Sequence, residues 1–215
     1  MRLWYHCHIM IKNVIFDIGM VLADFRYRDY MRKDLGFSEE VTEIFVERVV
    51  LNELWDELDL SIRPHEEILA DMKARVPEYR AEADVFFERI KDIAAPYPYA
   101  YGWLEDLKKR GYGVYLLSNY PDWVYTIHER EKFDFAKLAD GKVISGYEKM
   151  AKPDPAIYRL LLSRYGLNAS ECVFTDDREK NVAAAIGCGI HAFVFQNYAD
   201  ARTQLESFLS LPEES

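Results

Sequence analysis

Short apolar runs recur along the chain, and three of them end abruptly in polar side chains. Runs of this length, rich in β-branched and aromatic residues, are typical of strands buried on both faces of a parallel sheet. The polar residues would then lie at the carboxyl ends of the strands, where open α/β sheets place their chemistry. The runs are Val14–Phe16 before Asp17, Val114–Leu117 before Ser118, and Val173–Thr175 before Asp176.

Helical and extended patterns alternate from Tyr97 to the end of the chain. Gly111 and Gly166 follow two of the helical patterns, where glycine commonly ends a helix. The alternation predicts an α/β fold, a doubly wound parallel sheet with right-handed crossovers. The expected helices are 100–110, 122–130, 156–165, 179–186 and 199–209, and the expected extended segments are 114–117, 142–146, 172–175 and 190–195.

Residues 27–95 follow a different pattern, with many charges, apolar residues at helical spacing and almost no strand signal. Ser38 precedes two glutamates, which is typical of a helix start, and Pro64 suits the first turn of another helix. A further helix is expected over 81–93. We therefore expect an α-helical cap inserted into an α/β core. The expected cap covers residues 26–95, and the expected core covers residues 10–25 and 96–215.

Composition and charge exclude several classes of protein. The chain has 215 residues, 50% of them hydrophobic, and a formal net charge of −10, so a sizeable core is expected. Nucleic acid is not an expected partner, because its binding relies on Lys and Arg. No run approaches the roughly 20 apolar residues that a membrane span needs. The three cysteines lack metal-ligand spacing and fit a reduced, cytoplasmic chain in which Cys172 and Cys188 are buried.

The first nine residues fit no predicted element. They lack the apolar core and the small-residue cleavage site of a signal peptide. Met10 stands just before the first strand and reads as the natural start, so residues 1–9 are expected to be a disordered or non-native leader. A metal site formed by His6, Cys7 and His8 is the alternative interpretation.

The polar residues at the strand ends, together with Lys152, would form a site for an anion and a metal. Asp176 and Asp177 are adjacent, and like charges that close favour a bound cation such as Mg²⁺, which prefers carboxylate oxygens. Lys152 is a compact positive charge for phosphate, and Ser118 and Asn119 would donate hydrogen bonds to phosphoryl oxygens. Around a free carboxylate these groups predict phosphoryl transfer, with that carboxylate as the nucleophile.

Four ordered motifs resemble those of the haloacid dehalogenase (HAD) superfamily. They cover the Rossmann-like core from about residue 10 to 195, and the helical insertion stands where that family carries its C1-type cap. The closest resemblance is to sugar-phosphate phosphatases and to phosphatases similar to the N-terminal domain of epoxide hydrolases. The motifs are Phe16–Val21, Leu117–Asn119, Lys152–Tyr158 and Phe174–Val182.

The resemblance implies a Mg²⁺ site built from five positions. Asp17 would be a metal ligand as well as the nucleophile, and Gly19 would offer its backbone carbonyl to the metal. Asp177 matches the family's direct metal ligand, and Asp176 would be a second ligand or an acid just outside the ligand sphere. Asn181 falls where many members keep another acid, so it would hold a metal-bound water.

The resemblance also implies how the phosphoryl group is held, and it exposes one departure. Ser118 would bind the phosphoryl group, and Lys152 would neutralise it together with Asp17. Most phosphatases of this family have a second aspartate, the general acid, where this chain has Gly19. Without that acid, substrates with good leaving groups are expected, because a general acid contributes typically about 10²–10⁴-fold to the rate. Asp24 is either a replacement acid or a turn or helix cap.

The cap is expected to set specificity. Its segment Trp55–Ser61 resembles the family's substrate-specificity loop, with Ser61 where glycine is common. Trp55 is a candidate substrate-binding residue that would stack on a sugar, and packing inside the cap is the equal alternative. Arg26 and Arg63 would either reach the substrate or be solvated surface charges, and the second interpretation is favoured.

Four alternatives compete with a phosphatase. Receiver domains of response regulators carry their acidic pair early and the phosphorylated Asp later, which is the opposite order. A dinucleotide-binding protein is disfavoured because no Gly-x-Gly-x-x-Gly follows a strand. Dehalogenases of the family need no metal, so the acidic pair opposes that reaction. A catalytically degenerate HAD-fold binding or regulatory protein is favoured only by Gly19.

We therefore expect a cytoplasmic, Mg²⁺-dependent phosphoric monoester hydrolase. Its expected partner is a small phosphorylated metabolite such as a sugar phosphate, hydrolysed through an aspartyl-phosphate intermediate. No nucleic acid or membrane partner is expected, and the expected oligomeric state is a monomer or a homodimer.

Overall fold

The structure, a computed structural model, describes residues 10–210. Its centre is a five-stranded sheet in the order β5-β4-β1-β6-β7, with every neighbouring pair parallel. This confirms the predicted doubly wound α/β fold. The expected leader and the possible His6, Cys7 and His8 site lie outside the described residues. The strands are β1 (Asn13–Phe16), β4 (Gly113–Ser118), β5 (Gly141–Ile144), β6 (Cys172–Asp176) and β7 (His191–Val194).

Hydrophobic side chains fill both faces of this sheet, as an α/β layer architecture requires. Ile15 and Phe174 belong to one buried cluster, whereas Phe16 and Leu116 belong to the other. Successive side chains of a strand point to opposite faces, so one apolar run contributes to both clusters. The helices of this part are α6 (Ala100–Lys109), α7 (Asp122–Glu131), α8 (Ser145–Glu148), α9 (Pro155–Tyr165), α10 (Glu179–Gly187) and α11 (Tyr198–Leu209).

A helical segment separates β2 (Ala23–Phe25) from β3 (Ala94–Pro96), which pair as a two-stranded antiparallel ribbon. Among the predicted caps, the Ser38 side chain accepts a hydrogen bond from the backbone N–H of Val41. Pro64 directly precedes a helix, as predicted. The helices are α1 (Tyr27–Asp29), α2 (Glu39–Phe45), α3 (Glu53–Leu60), α4 (His65–Ala74) and α5 (Arg80–Glu88), with π-helical turns over Tyr30–Asp34 and Val46–Val50 and 3₁₀ turns over Pro77–Tyr79 and Ile90–Asp92.

Three local predictions are wrong. The helix expected over 81–93 ends at Glu88 and a 3₁₀ turn follows. A 3₁₀ turn aligns residues three apart, and this buries both Ile90 and Ile93. The segment expected to be extended over 142–146 leaves the sheet after Ile144 and turns into α8. Cys188 is partly exposed rather than buried, because it lies just after the end of α10.

The remaining predicted core elements are confirmed to within one or two residues at their ends. The sequence signal for them is strong because their apolar residues are buried on one helix face or on both strand faces. No helix between residues 10 and 210 is long and apolar enough to cross a membrane.

Candidate active site

Three neighbouring strands place the predicted polar residues at one edge of the sheet. Asp17 follows β1, Ser118 ends β4 and Asp176 ends β6. β1 lies between β4 and β6, with Phe16 in register with Leu116 on one side and Thr175 on the other. Since parallel strands end at the same edge, the sheet itself brings these side chains together.

Asp17 is held through one of its two carboxylate oxygens. Oδ1 accepts hydrogen bonds from the Ile18 backbone N–H at 2.6 Å and from the Ser118 hydroxyl at 2.8 Å. Lys152 Nζ is 2.9 Å from the same oxygen. Oδ2 accepts no hydrogen bond from any described residue, and the side chain borders a cavity. The carboxylate is therefore fixed on one side and available on the other.

Lys152 lies between two carboxylates in a buried position. Its Nζ is 2.9 Å from Asp17 Oδ1 and 2.6 Å from Asp176 Oδ2. Burial opposes its charge, but the carboxylates of Asp17 and Asp176 outweigh burial and raise the pKa of Lys152. It is therefore a permanent positive charge at the site.

The Asn119 carboxamide positions Lys152 instead of pointing freely into the cavity. Its Nδ2 donates to the carbonyl oxygen of Lys152 at 2.9 Å, and its Oδ1 accepts from the backbone N–H of Lys152 at 2.8 Å. Asn119 also borders the cavity. A substrate contact by Asn119 stays a prediction. The structure shows instead that its carboxamide fixes the backbone of Lys152 through two hydrogen bonds.

Asp176 and Asn181 form a buried pair, and Asn181 borders the cavity. Asn181 Nδ2 donates to both carboxylate oxygens of Asp176, at 2.9 and 3.0 Å. The Arg178 backbone N–H donates to Asp176 Oδ1. Burial opposes the charge of Asp176, but Lys152 and these hydrogen bonds together lower its pKa. Asn181 therefore orients Asp176, while its expected role in holding a metal-bound water stays a prediction.

Asp17, Asp176 and Asp177 together have the donor set of a cation site. One carboxylate oxygen from each lies within 4.8 Å of the others. Burial, followed by the charge of Asp176, raises the pKa of Asp177. Burial also raises the pKa of Asp17, and the two other acids add to this against the opposing charge of Lys152. Three acids facing one lysine leave an excess negative charge that a divalent cation with oxygen ligands would neutralise.

Gly19 borders the same cavity and leaves room beside Asp17. A Cβ atom built on Gly19 would meet no atom within 4 Å. The structure therefore leaves room for a Cβ atom at this position.

A cavity of about 530 Å³ lies between the core residues of the site and the helical insertion. Trp55 borders it and packs edge-on against Phe25, with the ring centroids 5.6 Å apart. Trp55 therefore borders the cavity and packs against Phe25, which lies outside the expected cap. Stacking on a sugar stays a prediction.

The end of α3 is attached to the core next to the cavity. The Ser145 hydroxyl donates to the carbonyl oxygen of Asp59, and Lys149 Nζ donates to the carbonyl oxygen of Ser61. Ser61 adopts a left-handed conformation with φ 46°, which accounts for glycine being common at this position of the resembling loop. The backbone N–H of Asp122 donates to the Ser61 hydroxyl.

Asp59 lies in this segment and borders the cavity, although the sequence did not single out this residue. Burial raises the pKa of Asp59 to about 7, and the charge of Asp56 adds to this. Arg178, whose side chain also borders the cavity, acts in the opposite direction. The signal that could have found Asp59 is its position in the predicted specificity loop, two residues before Ser61.

Three other candidates lie away from the cavity. Asp24 is in β2, in register with Ala95, and does not border the cavity. Arg26 forms an ion pair with Asp34. Arg63 forms ion pairs with Glu57 and Asp71. These contacts agree with the favoured interpretation of both arginines as surface charges.

Comparisons with known proteins agree with this geometry. A family model described as haloacid dehalogenase-like hydrolase matches residues 11–189. A sesquiterpene phosphatase from Aspergillus oryzae is 24% identical over 180 residues, which are 83% of this chain and 87% of that protein. A D-ribitol-5-phosphate phosphatase from Bacteroides thetaiotaomicron is 26% identical over 216 residues, which are 94% of this chain and all of that protein. Two other relatives are much longer proteins, and the matches cover 7% and 38% of their lengths.

Solved structures share the fold. A HAD family enzyme from Bacteroides thetaiotaomicron, in complex with magnesium and inorganic phosphate, superposes with a TM-score of 0.69 at 22% identity. The match covers 89% of this chain and 98% of that one. At this level of identity, the similarity concerns the fold alone.

Proposed function

The chain belongs to the haloacid dehalogenase-like hydrolases, and on this premise we propose that it is a Mg²⁺-dependent phosphatase acting on a small phosphorylated metabolite. The observation that carries the proposal is the state of Asp17. One carboxylate oxygen is fixed by Ser118 and Lys152, and the other accepts no hydrogen bond within residues 10–210. A nucleophile needs this combination of fixed orientation and a free oxygen beside the substrate cavity.

In the proposed first step, a free oxygen of Asp17 attacks the phosphorus of the substrate. The bond between phosphorus and the leaving oxygen breaks, and an aspartyl-phosphate forms. Lys152 neutralises charge on the phosphoryl oxygens, and the Ser118 hydroxyl is close enough to Asp17 to bind one of them. In the second step water attacks the phosphorus, the bond to Asp17 breaks, and inorganic phosphate leaves.

The metal ligands in this proposal are Asp17, Asp176, Asp177 and the carbonyl of Gly19. Bound there, Mg²⁺ would supply Lewis-acid stabilisation of negative charge on the transferred phosphoryl group. Asn181 would keep Asp176 oriented, as a partner behind a metal ligand commonly does. The fit of Mg²⁺ to this site is inferred from the three neighbouring carboxylates and their excess negative charge.

The helical insertion supports the proposal by closing one side of the cavity. We propose that residues 26–95 act as a cap on the core formed by residues 10–25 and 96–215. A cap attached through Ser145 and Lys149 would exclude water and so favour transfer to Asp17 before hydrolysis. The phosphatases among the relatives agree with this reaction class.

The test is phosphate release from a panel of monophosphates with Mg²⁺ or with EDTA. The panel contains p-nitrophenyl phosphate, a sugar 1-phosphate, a sugar 6-phosphate and FMN. Release with Mg²⁺ that stops in EDTA is the expected result. Absence of release from every ester, with Mg²⁺ binding intact, would instead favour the degenerate binding protein that Gly19 allows.

A further inference from the structure

The cavity next to Asp17 has two chemically different ends. At about 530 Å³ it falls within the common size range of small-molecule sites. The end formed by the strand termini is polar and contains Asp17, Ser118 and Lys152. The phosphoryl group would occupy this end, so the rest of the cavity faces the leaving group.

Many apolar residues line the rest of the cavity, and they come from both of its sides. The core contributes Met20 and Phe25, and the insertion contributes Leu51, Trp55 and Ile93. Hydroxyl groups of a sugar or polyol would lose their hydrogen bonds to water against such a wall, which costs free energy. An apolar leaving group would gain from burial there.

Two of the lining side chains are unusually exposed. Leu51 is 63% exposed and Met20 is 42% exposed, one on each side of the cavity. Met20 also has a φ of 59°, in the left-handed region that residues with a side chain rarely adopt. Met20 therefore presents an exposed apolar side chain at the cavity that Asp17 also borders.

The charged side chains that the insertion contributes to the cavity are acidic. The insertion contributes Glu53, Asp56 and Asp59 to the cavity, and the cationic groups among the described lining residues are Lys152 and Arg178 of the core. A leaving group with its own phosphate or carboxylate would meet repulsion from this wall. The wall therefore selects against negatively charged leaving groups.

We propose that the substrate is the monophosphate ester of an apolar, uncharged alcohol or phenol rather than of a sugar or polyol. This inference rests on the proposed phosphatase function and specifies its leaving group. The apolar wall, the exposed Met20 and Leu51, and the acidic insertion side chains support it together.

The test compares esters that differ in apolar surface but share a primary alkyl leaving oxygen. The alkyl esters are n-octyl phosphate, ethyl phosphate and glucose 6-phosphate. A separate pair, 1-naphthyl phosphate and phenyl phosphate, shares an aryl leaving oxygen. We expect kcat/KM for n-octyl phosphate to exceed the values for ethyl phosphate and glucose 6-phosphate at least tenfold. The ratio of kcat/KM between the more and the less apolar ester is then compared for the two pairs. A larger ratio for 1-naphthyl over phenyl phosphate would identify a phenol as the leaving group. A larger ratio for n-octyl over ethyl phosphate would identify an aliphatic alcohol.

A pair of matched variants tests the wall itself. Leu51→Asp should lower the ratio of kcat/KM for n-octyl over ethyl phosphate about tenfold. Ile62→Asp makes a similar change at another exposed site of the insertion, 55% exposed and outside the cavity, and should leave the ratio unchanged. Circular dichroism and melting curves would establish that both variants are folded.

The outcomes separate this inference from the function on which it rests. Hydrolysis that depends on Asp17 but favours glucose 6-phosphate would overturn the apolar leaving group and leave the phosphatase in place. A Leu51→Asp variant with an unchanged ratio would also overturn it. No hydrolysis of any ester would overturn both proposals.

Discussion

Lys152 and Asp17 form an ion pair through a single carboxylate oxygen, with Nζ 2.9 Å from Oδ1. The pair is buried, and breaking a buried pair leaves an uncompensated charge. It persists because Asp176 shares the lysine and Asn119 fixes the lysine's backbone. The arrangement orients Asp17, and the charge of Lys152 opposes the rise in the pKa of Asp17 that burial causes.

Gly19→Asp should speed the hydrolysis of esters with poor leaving groups. A Cβ at Gly19 meets nothing within 4 Å, and a carboxyl there would stand where the resembling family keeps its general acid. We expect kcat for ethyl phosphate to rise about 10- to 100-fold, with little change for p-nitrophenyl phosphate. Steady-state rates for the two esters check this, and an equal effect on both would contradict it.

Asp59→Asn should stabilise the metal-free protein at neutral pH but not at pH 4. The folded pKa of Asp59 is about 7 against 3.8 for a free side chain. Between these values the unfolded chain releases a proton that the folded protein keeps, so wild-type stability falls as pH rises from about 4 to 7. The expected difference above pH 7 is on the order of 2–4 kcal/mol.

Urea unfolding of wild type and Asp59→Asn in EDTA at pH 4, 5.5 and 8 measures this effect. The buried His128 has its pKa lowered to about 4, so it adds a pH dependence of the opposite sign. His128 is present in both proteins, and the difference between them isolates Asp59. Parallel stability curves for the two proteins would rule the prediction out.

Asp177→Asn should remove the stabilisation by Mg²⁺ while making the metal-free protein more stable. Asp177 faces two other acids within 4.8 Å, and its own pKa is raised by burial and by Asp176. Replacing Asp177 by Asn removes the repulsion between its carboxylate and those of the two other acids, and it also removes a proposed metal ligand. We expect Mg²⁺ to raise the wild-type Tm by several degrees, because binding to the folded state alone stabilises it.

Melting curves with 10 mM Mg²⁺ or EDTA provide the measurement. Asp24→Asn is the control, because it changes an acid that does not border the cavity, and it should keep the wild-type response. A Mg²⁺ shift that survives in Asp177→Asn would show that this carboxylate is not a ligand.

Gly146→Ala should weaken the attachment of the insertion to the core. A Cβ at Gly146 would lie 2.4 Å from the Asp122 nitrogen and 2.8 Å from the Ser61 hydroxyl oxygen. Because the first contact is with backbone, the core must shift, which costs about 1–3 kcal/mol. Gly102→Ala is the matched control, since a Cβ there is unobstructed in the interior of α6. Gly102→Ala should raise the free energy of unfolding by about 0.5–1 kcal/mol. Denaturant unfolding of the two variants measures both changes, and a Gly146→Ala protein as stable as wild type would contradict the prediction.

The sheet and the meeting of Asp17, Ser118 and Asp176 were predictable because both follow from local pattern. Long apolar runs identify buried parallel strands, and parallel strands end at one edge. The β2–β3 ribbon was not predictable, because Ala23 pairs with Pro96 only after the chain has passed through the whole insertion. Neither strand has the alternation of a half-buried strand.

Hydrogen bonds in the site between residues far apart in the chain were also not predictable from the sequence. Asp59 reaches the cavity because Ser145, far along the chain, binds its backbone. Asn119 was expected to contact phosphate, and its bonds to the backbone of Lys152 depend on how two loops meet. The sequence gives the chemical type of each side chain, but the hydrogen-bond partner of that side chain depends on tertiary contacts.

The role of Asp17 as the nucleophile is decided by measuring phosphate release from p-nitrophenyl phosphate with Mg²⁺ for two variants, Asp17→Asn and Asp24→Asn. Both variants exchange one carboxylate for an amide in the same part of the chain, and only Asp17 borders the cavity. We expect at least about a 10³-fold loss of kcat in Asp17→Asn and near wild-type activity in Asp24→Asn. Retained activity in a folded Asp17→Asn protein would contradict it.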